Sequence, residues 1–532
     1  MLYKATERLR TFPVVMVKRW WKIISLLLLM GCESPHIATD EVLRIGLFAP
    51  YASLDPIYAR DQVSVWLVQQ LFQGLVTYDS AMHIIPAAAK GWEVSADGRV
   101  YRFFLRQELT YVKHLDRHLR ADDVVYSWHR LASPRLASPG GYLFRGIIAG
   151  WEDYQKGKAP AIWGIRALND STLEVELEKP YAPFLHLLTL PYAAIVLPEA
   201  AESLGRDFGK APVGLGPFYL LYEEKDRLLI FKRDSGMPKK LMFRWFSNRL
   251  WAWEALKNGE IDAFEGTDRA LEHLIGRDQS WGGEIRRIST AQLGTEYLGM
   301  NMRPNSPFAD RRVRCALRTV ISRLLLKQAL GLDCTPAYSF IPPMLLSGSL
   351  RRASLDTFSD AILRLRSEKI TLYAPPAFRE LCEYIQTALA QEGISIRVEY
   401  LLGPSLRERL ARGDIHLWKA SWLADFPEGE NFLVLFESSQ HAPRGPNTTH
   451  FSSSEMDSLI TLARRTIADS TRRRLYAQAE AILARECPVI PLYHAHGVWF
   501  LRKGVRNFPI SPLSVWLPLE RVRFYSDDSK ED

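Results

Sequence analysis

The chain has 532 residues, with 68 Lys and Arg against 60 Asp and Glu and a formal charge of +8. At roughly 150 residues per domain, that length implies three or four domains or lobes. Hydrophobic residues at 47% and charged residues at 24% exclude disordered, low-complexity and collagen-like chains.

The positive charge is concentrated at the start. Residues 1–31 carry Lys4, Arg8, Arg10, Lys18, Arg19 and Lys22 against Glu7, a net of +5, and their removal takes the chain from +8 to +3. The run Ile23 to Met30 is apolar apart from Ser25 and precedes Gly31-Cys32. A basic segment, a short apolar core and a small residue before a cut form an export signal. The core is far short of the ~20 residues that cross a bilayer. Leu29-Met30-Gly31-Cys32 resembles a bacterial lipobox, which implies acylation at Cys32 and a membrane lipid anchor. A start at Met16, reading Met-Val-Lys-Arg-Trp-Trp-Lys, would give a signal of more ordinary length. Basicity therefore speaks to address, and no nucleic-acid partner is expected.

In chain order, residues 42–48 read as a strand. Val100 to Arg106 places Tyr101, Phe103 and Leu105 on one face, and Thr172 to Glu178 alternates Leu173, Val175 and Leu177 with Glu174, Glu176 and Glu178. Such alternation predicts antiparallel strands with one wet face. Apolar stripes three and four residues apart predict three helices. The first carries Val313, Ala316, Leu317, Val320, Ile321 and Leu324. The second carries Met456, Leu459, Ile460, Ala463 and Ile467, after a cap at Ser453 or Ser454. Leu475, Ala479, Ile482 and Leu483 form the third, ending before Pro488. The segments around Ala255-Leu256-Lys257-Asn258-Gly259-Glu260-Ile261-Asp262 and Arg409-Leu410-Ala411-Arg412-Gly413-Asp414-Ile415-His416 both run from a helix through Gly into a strand. Gly supplies the left-handed turn at a helix end, so two α/β lobes of related design are expected.

Other chemistry lacks its anchors. Neither G-x-S-x-G, H-E-x-x-H nor G-x-x-x-x-G-K-[ST] occurs, which removes the usual hydrolase, zincin and P-loop signatures. The pairs His114/His118 and His494/His496 each fall short of the three or four ligands a metal site needs, and no metal or cofactor is expected. Arg472-Arg473-Arg474 reads as a solvated helix face. Cys315, Cys334, Cys382 and Cys487 contain no C-x-x-C. Export permits oxidation without fixing a pairing, and the apolar pattern around Cys315 predicts a buried thiol.

Several collinear segments then carry a resemblance. They are Ser53-Leu54-Asp55-Pro56, Gln70-Leu71-Phe72-Gln73-Gly74-Leu75, Gly91-Trp92 through Asp97-Gly98, and Ala121-Asp122-Asp123-Val124-Val125-Tyr126-Ser127-Trp128. Gly214-Leu215-Gly216-Pro217-Phe218, Pro307 to Arg314, Ser421-Trp422-Leu423-Ala424-Asp425-Phe426 and Ile490-Pro491-Leu492-Tyr493 continue the order. Together they resemble the solute-binding proteins of the peptide and nickel ABC importers, nearest the oligopeptide branch, over about residues 40–525.

The resemblance implies a two-lobed α/β periplasmic binding protein fold (type II, cluster C) with an extra α+β domain in the first lobe. Residues 40–78, 206–295 and 494–526 would form the lobe I core, 79–205 the extra domain and 296–493 lobe II. It further implies a non-enzymatic, monomeric protein, periplasmic and lipid-anchored, that delivers peptides to an ABC permease. The same fold could carry a cell-wall peptide, a nickel complex or haem, or serve a surface or chaperone-like role. Asp425 occupies the position that pairs with the peptide ammonium. Lys419 stands where relatives place an Arg that meets the ligand carboxylate, and alternation puts it on one face with Ser421. Trp422 and Tyr142 are candidate cleft walls. The usual turn before the A-x-D-V stretch is replaced by Lys113 to Arg120. At the two positions where some relatives have a disulfide, this chain has Gly294 and Leu423.

Overall fold

The computed structural model describes residues 42–524 apart from 112–113, 225–226, 233–237, 268–270, 272–273, 276–282, 328–332 and 348–358. The expected signal and Cys32 lie outside the described residues. Strand β1 (Val42–Leu47) leads to helix α1 (Gln62–Leu71), whose N-cap Asp61 accepts from the Ser64 backbone N–H at 2.8 Å.

Next comes a four-stranded antiparallel sheet of β2 (Ala89–Val94), β3 (Val100–Leu105), β4 (Ile165–Asn169) and β5 (Thr172–Glu176), in the order β2-β3-β5-β4. Its alternation sorts as expected. Leu173 and Val175 join Tyr101, Phe103 and Trp128 of helix α2 (Ala121–Ala132) in one core. On the other face Glu174 accepts from Arg102 and Arg166, each at 2.8 Å. β5 stops at Glu176, two residues earlier than the pattern suggests.

Apart from three short two-stranded ribbons, the remaining described strands build one twelve-stranded sheet with β1. They are β6 (Phe218–Glu224), β7 (Arg227–Lys232), β8 (Lys240–Trp245), β9 (Ala263–Glu265), β10 (Ile285–Ala291), β11 (Gly294–Met300), β12 (Cys334–Pro336), β13 (Ile370–Ala374), β14 (Ile396–Tyr400), β15 (Leu417–Leu423) and β16 (Val489–Arg502). Helices α3 (Arg249–Lys257), α4 (Arg311–Lys327), α5 (Arg379–Gln391), α6 (Gly403–Arg412), α7 (Ser454–Arg465) and α8 (Asp469–Glu486) accompany them. The order β6-β7-β8-β1-β9-β16-β11-β15-β13-β14, with β10 and β12 also on β16, divides into two halves that share the long strand β16. Residues 489–495 of β16 pair with β11 and β12, and residues 496–502 pair with β10 and β9. Each half has a parallel centre, β1 with β8 and β9 in one and β13 with β14 and β15 in the other. Separate apolar cores follow, one around Leu43, Ile45 and Phe243 and another around Leu298, Leu317 and Leu372.

The two helix–Gly–strand units occur as read, α3 to β9 and α6 to β15. Gly259 at φ 72° and Gly413 at φ 83° make the turns, in a region where a Cβ would be strained. Ser453 caps α7 by accepting from the Met456 N–H at 3.2 Å. In α4, Val313, Ala316, Leu317, Val320 and Ile321 are buried, while the side chain of Leu324 lies outside the described residues.

Three expectations are corrected. Ile467 falls beyond the end of α7 and is 64% exposed. Arg472 is buried rather than solvated, because Glu428 meets its guanidinium at 2.5 Å. Cys315 is not a free thiol: it forms a disulfide with Cys487, Cα atoms 5.4 Å apart, tying α4 to the C-terminus of α8 across 172 residues. Cys334 and Cys382 are free. Among the described residues no three potential metal-ligating side chains come together. His494 instead shares its Nδ1 with Gly294 O at 3.0 Å and Thr295 Oγ1 at 3.0 Å.

Candidate functional site

The chain passes between the halves at residues 291–294, from β10 into β11, and at residues 495–497 within β16. A third segment lies against this seam, where the Ala424 N–H donates to Leu293 O at 2.8 Å. Directly before it, Gly294 and Leu423 face each other across β11 and β15. A Cβ on Gly294 would stand 2.4 Å from Leu423 Cδ2, so this leucine fills the space where relatives of the resembled family carry their bridge.

Asp425 follows at the seam. Its side chain reaches solvent, yet surrounding protein desolvates the carboxyl and raises its pKa, opposed by a hydrogen bond with the Asn431 side chain. No ion-pair partner for it is found among the described residues. Trp422 fixes the Asn431 amide, since its Nε1–H donates to the Asn431 backbone O at 2.9 Å and to Oδ1 at 3.2 Å. With the amide oxygen taken, the amide nitrogen is left to donate to Asp425.

The turn holding Asp425 and Asn431 is braced from both sides, by residues that no sequence motif singled out. Glu428 accepts from Arg472 and from Tyr476 Oη at 2.8 Å, and it lies 3.5 Å from His186 Nε2 on the far side. Burial alone would raise Glu428, but His186 and Arg472 outweigh it and bring its pKa to about 2. Glu430 accepts from Arg464 at 2.7 Å and from Tyr181 Oη at 3.2 Å. Phe426 enters the core of the four-stranded-sheet region, with its ring stacked on His186 at 6.1 Å.

Tyr142 lies across from Asp425. It is 66% exposed, yet its hydroxyl pKa is raised first by desolvation and then by the charge of Asp425. Tyr192, which sequence reasoning missed, belongs to the same wall; desolvation, then Tyr142 and Asp425, push it up to about 12. Its ring packs on Gly140, where a Cβ would come within 2.4 Å.

Tyr142 and Tyr192 thus lie within reach of the Asp425 charge, and Trp422 meets the same turn through Asn431; Ser421 is exposed, its hydroxyl bonded to Glu296 at 2.6 Å. Lys419 is placed differently from the expectation of an available strand-face cation. Its side chain is 0% exposed and ion-paired with Glu296. It also donates to Ala420 O at 2.7 Å and Ser421 Oγ at 3.4 Å, and its Nζ sits 3.7 Å from the Phe378 ring centroid. Burial pulls its ammonium pKa down, against the opposing pull of Glu296. The physical reason is cross-strand pairing: Glu296 stands opposite Ser421 on β11 and reaches both side chains.

Residues 83–444 match the family described as Bacterial extracellular solute-binding proteins, family 5 Middle. A probable deoxycholate-binding periplasmic protein of Escherichia coli is 28% identical over 510 residues, covering 89% of this chain and 92% of that one. The periplasmic oligopeptide-binding protein of Salmonella typhimurium is 27% identical, covering 83% and 85% of the two chains. The solved murein tripeptide-binding protein of Escherichia coli superposes with a TM-score of 0.74 at 23% identity, covering 91% of this chain and 98% of that one. A two-lobed body and a family match over most of the chain agree: this chain belongs to the bacterial extracellular solute-binding proteins of family 5.

Proposed function

We propose that the protein is a lipid-anchored periplasmic carrier that encloses a peptide between two lobes and delivers it to an ABC permease. In this reading residues 40–78, 206–295 and 494–526 form the lobe I core, which carries 79–205, and 296–493 form lobe II. One observation carries the peptide assignment: Asp425 is a solvent-reaching but desolvated carboxyl with no ion-pair partner among the described residues, and its charge is felt by Tyr142 and Tyr192. Such a group is unfavourable until an ammonium arrives, and a peptide N-terminus supplies one. Ser421 and Trp422 would border the bound backbone, and pockets filled by water would accept varied side chains.

The relative named for deoxycholate favours a second reading, an apolar anionic cargo. The unpaired carboxyl of Asp425 argues against it, since an anion there would meet like charge. Calorimetry with short alanine peptides decides between them. Free amino termini should bind, and N-acetylation should weaken binding by roughly 2–5 kcal/mol, the range for truncating one partner of a buried charge pair. Equal affinity of acetylated and free peptides would refute the role of Asp425.

A further inference from the structure

The chemistry of the ligand's other end can be read from two cations. Lys419, on the strand that leads to Asp425, has three N–H bonds to give. Glu296, Ala420 O and Ser421 Oγ are within reach of all three, and no surface is left. Turning it toward a ligand carboxylate would strand a buried Glu296.

Arg60 is in the opposite condition. It is exposed and has no hydrogen bond or ion pair among the described residues. Its neighbour Asp61 forms no ion pair with it among the described residues and is turned to Ser64 and Ala52 instead. Oδ1 accepts from Ser64 N at 2.8 Å, and Oδ2 accepts from Ser64 Oγ at 2.6 Å and Ala52 N at 3.1 Å.

The fold carries the Arg60 loop to the Tyr192 turn. The turn Pro56–Tyr58 packs on the turn Pro191–Ala193. Tyr58 Oη donates to Leu136 O at 2.7 Å, and Ser138 Oγ donates to Ile57 O at 2.6 Å. These ties gather the Arg60 loop, the Tyr192 turn and the loop leading to Tyr142 into one rim. Consistent with that placement, the Tyr192 hydroxyl pKa, raised mainly by desolvation and further by Tyr142 and Asp425, is lowered by Arg60 and raised again by Asp61.

We propose that Arg60 is a specificity-determining residue that meets the ligand's terminal carboxylate, so that Asp425 and Arg60 bracket a short zwitterionic peptide along the Tyr142–Tyr192 wall. The inference rests on peptide capture as proposed above. A guanidinium presents a planar fork of donors matched to a carboxylate, and a hydrogen bond to a charged group of this kind changes affinity by about 10- to 100-fold.

The test is calorimetry of the full-length mature protein with di- to pentaalanine, each as the free acid, the C-terminal amide and the N-acetyl form. The wild type should prefer the acid to the amide by about 10- to 100-fold at its best length. Arg60→Ala should bind acid and amide alike, and Arg60→Glu should prefer the amide. Unchanged melting of both variants would show that they are folded. Equal binding of acid and amide by the wild type at every length, or an acid preference that survives in Arg60→Ala, overturns the role of Arg60. Loss of discrimination against N-acetyl peptides alone would remove Asp425 from peptide binding and leave Arg60 in place. Failure of every peptide to bind would overturn both.

Discussion

Lys419 and Asp425 are six residues apart and in opposite states. Lys419 is sealed inside the protein, its donors turned to Glu296, Ala420 O and Ser421 Oγ. Asp425 is wetted, desolvated and left without a cation. Strand geometry produces the contrast. Inside β15 a cross-strand neighbour on β11 supplies the partner for Lys419; past the strand end Asp425 has no facing strand, and among the described residues it is met by the neutral Asn431. A charge satisfied within the fold supports structure, whereas one left unsatisfied at a seam is available to a ligand.

The contrast breaks most severely from the Lys419 side. Lys419→Met leaves Glu296 buried without its cation, and destabilisation of about 3–5 kcal/mol is expected from removing one partner of a buried pair. Urea unfolding at neutral pH measures it. The double variant Lys419→Met with Glu296→Leu should recover most of that loss, since two apolar groups leave no uncompensated charge. A single-variant loss below about 1 kcal/mol would place the pair with exposed ones.

Asp425→Asn should do the reverse. Peptide affinity should fall by roughly 2–5 kcal/mol, while the melting temperature holds or rises, because the raised carboxyl pKa marks a desolvated charge that the empty protein is better without. Acidification should weaken peptide binding as Asp425 takes up a proton, starting above the usual carboxylate range, and the amide variant, which cannot titrate, should lack that component. A variant that loses stability and affinity together would make Asp425 a structural residue.

How much of this was legible beforehand depended on the range of the partner. Alternation in Thr172–Glu176 and the glycine turns at 259 and 413 are local, and they appeared where the residues put them. Gly294 and Leu423 face each other as the resemblance implies. Period-two alternation also placed Lys419 and Ser421 on one face, but it cannot report what covers that face; Glu296 lies 123 residues away. The same limit hid the Cys315–Cys487 bond, across 172 residues, and the burial of Arg472, whose charge run looks like surface until Glu428 is found. Tyr192 and Arg60 sit in turns without periodicity, joined through tertiary contacts such as the packing of Pro56–Tyr58 on Pro191–Ala193.

Glu428 and Glu480 repeat the comparison within α8's surroundings, with a smaller and pH-dependent effect. Glu428 has Arg472 and His186 beside it, and its pKa falls to about 2. Glu480 is just as buried but receives only the backbone N–H groups of Phe340 at 2.8 Å and Ile341 at 3.0 Å, and burial raises it to about 7 despite those bonds and the more distant charge of Arg318. A folded pKa below the ordinary 4.5 means that Glu428 contributes stability above pH 4.5 that is lost as pH falls through about 2. For Glu480 the sign reverses: its contribution is complete below 4.5 and is lost as pH rises through about 7. Between roughly pH 5 and 8 the wild type should therefore lose about 1–3 kcal/mol through Glu480 alone, at 1.36 kcal/mol per unit of pKa shift. Glu480→Gln cannot ionise, so its stability should lack that part of the slope and gain on the wild type as pH rises from 5 to 8. Urea titrations of both proteins across the range compare the slopes directly, and parallel curves would show that Glu480 ionises in the native protein at an ordinary pH.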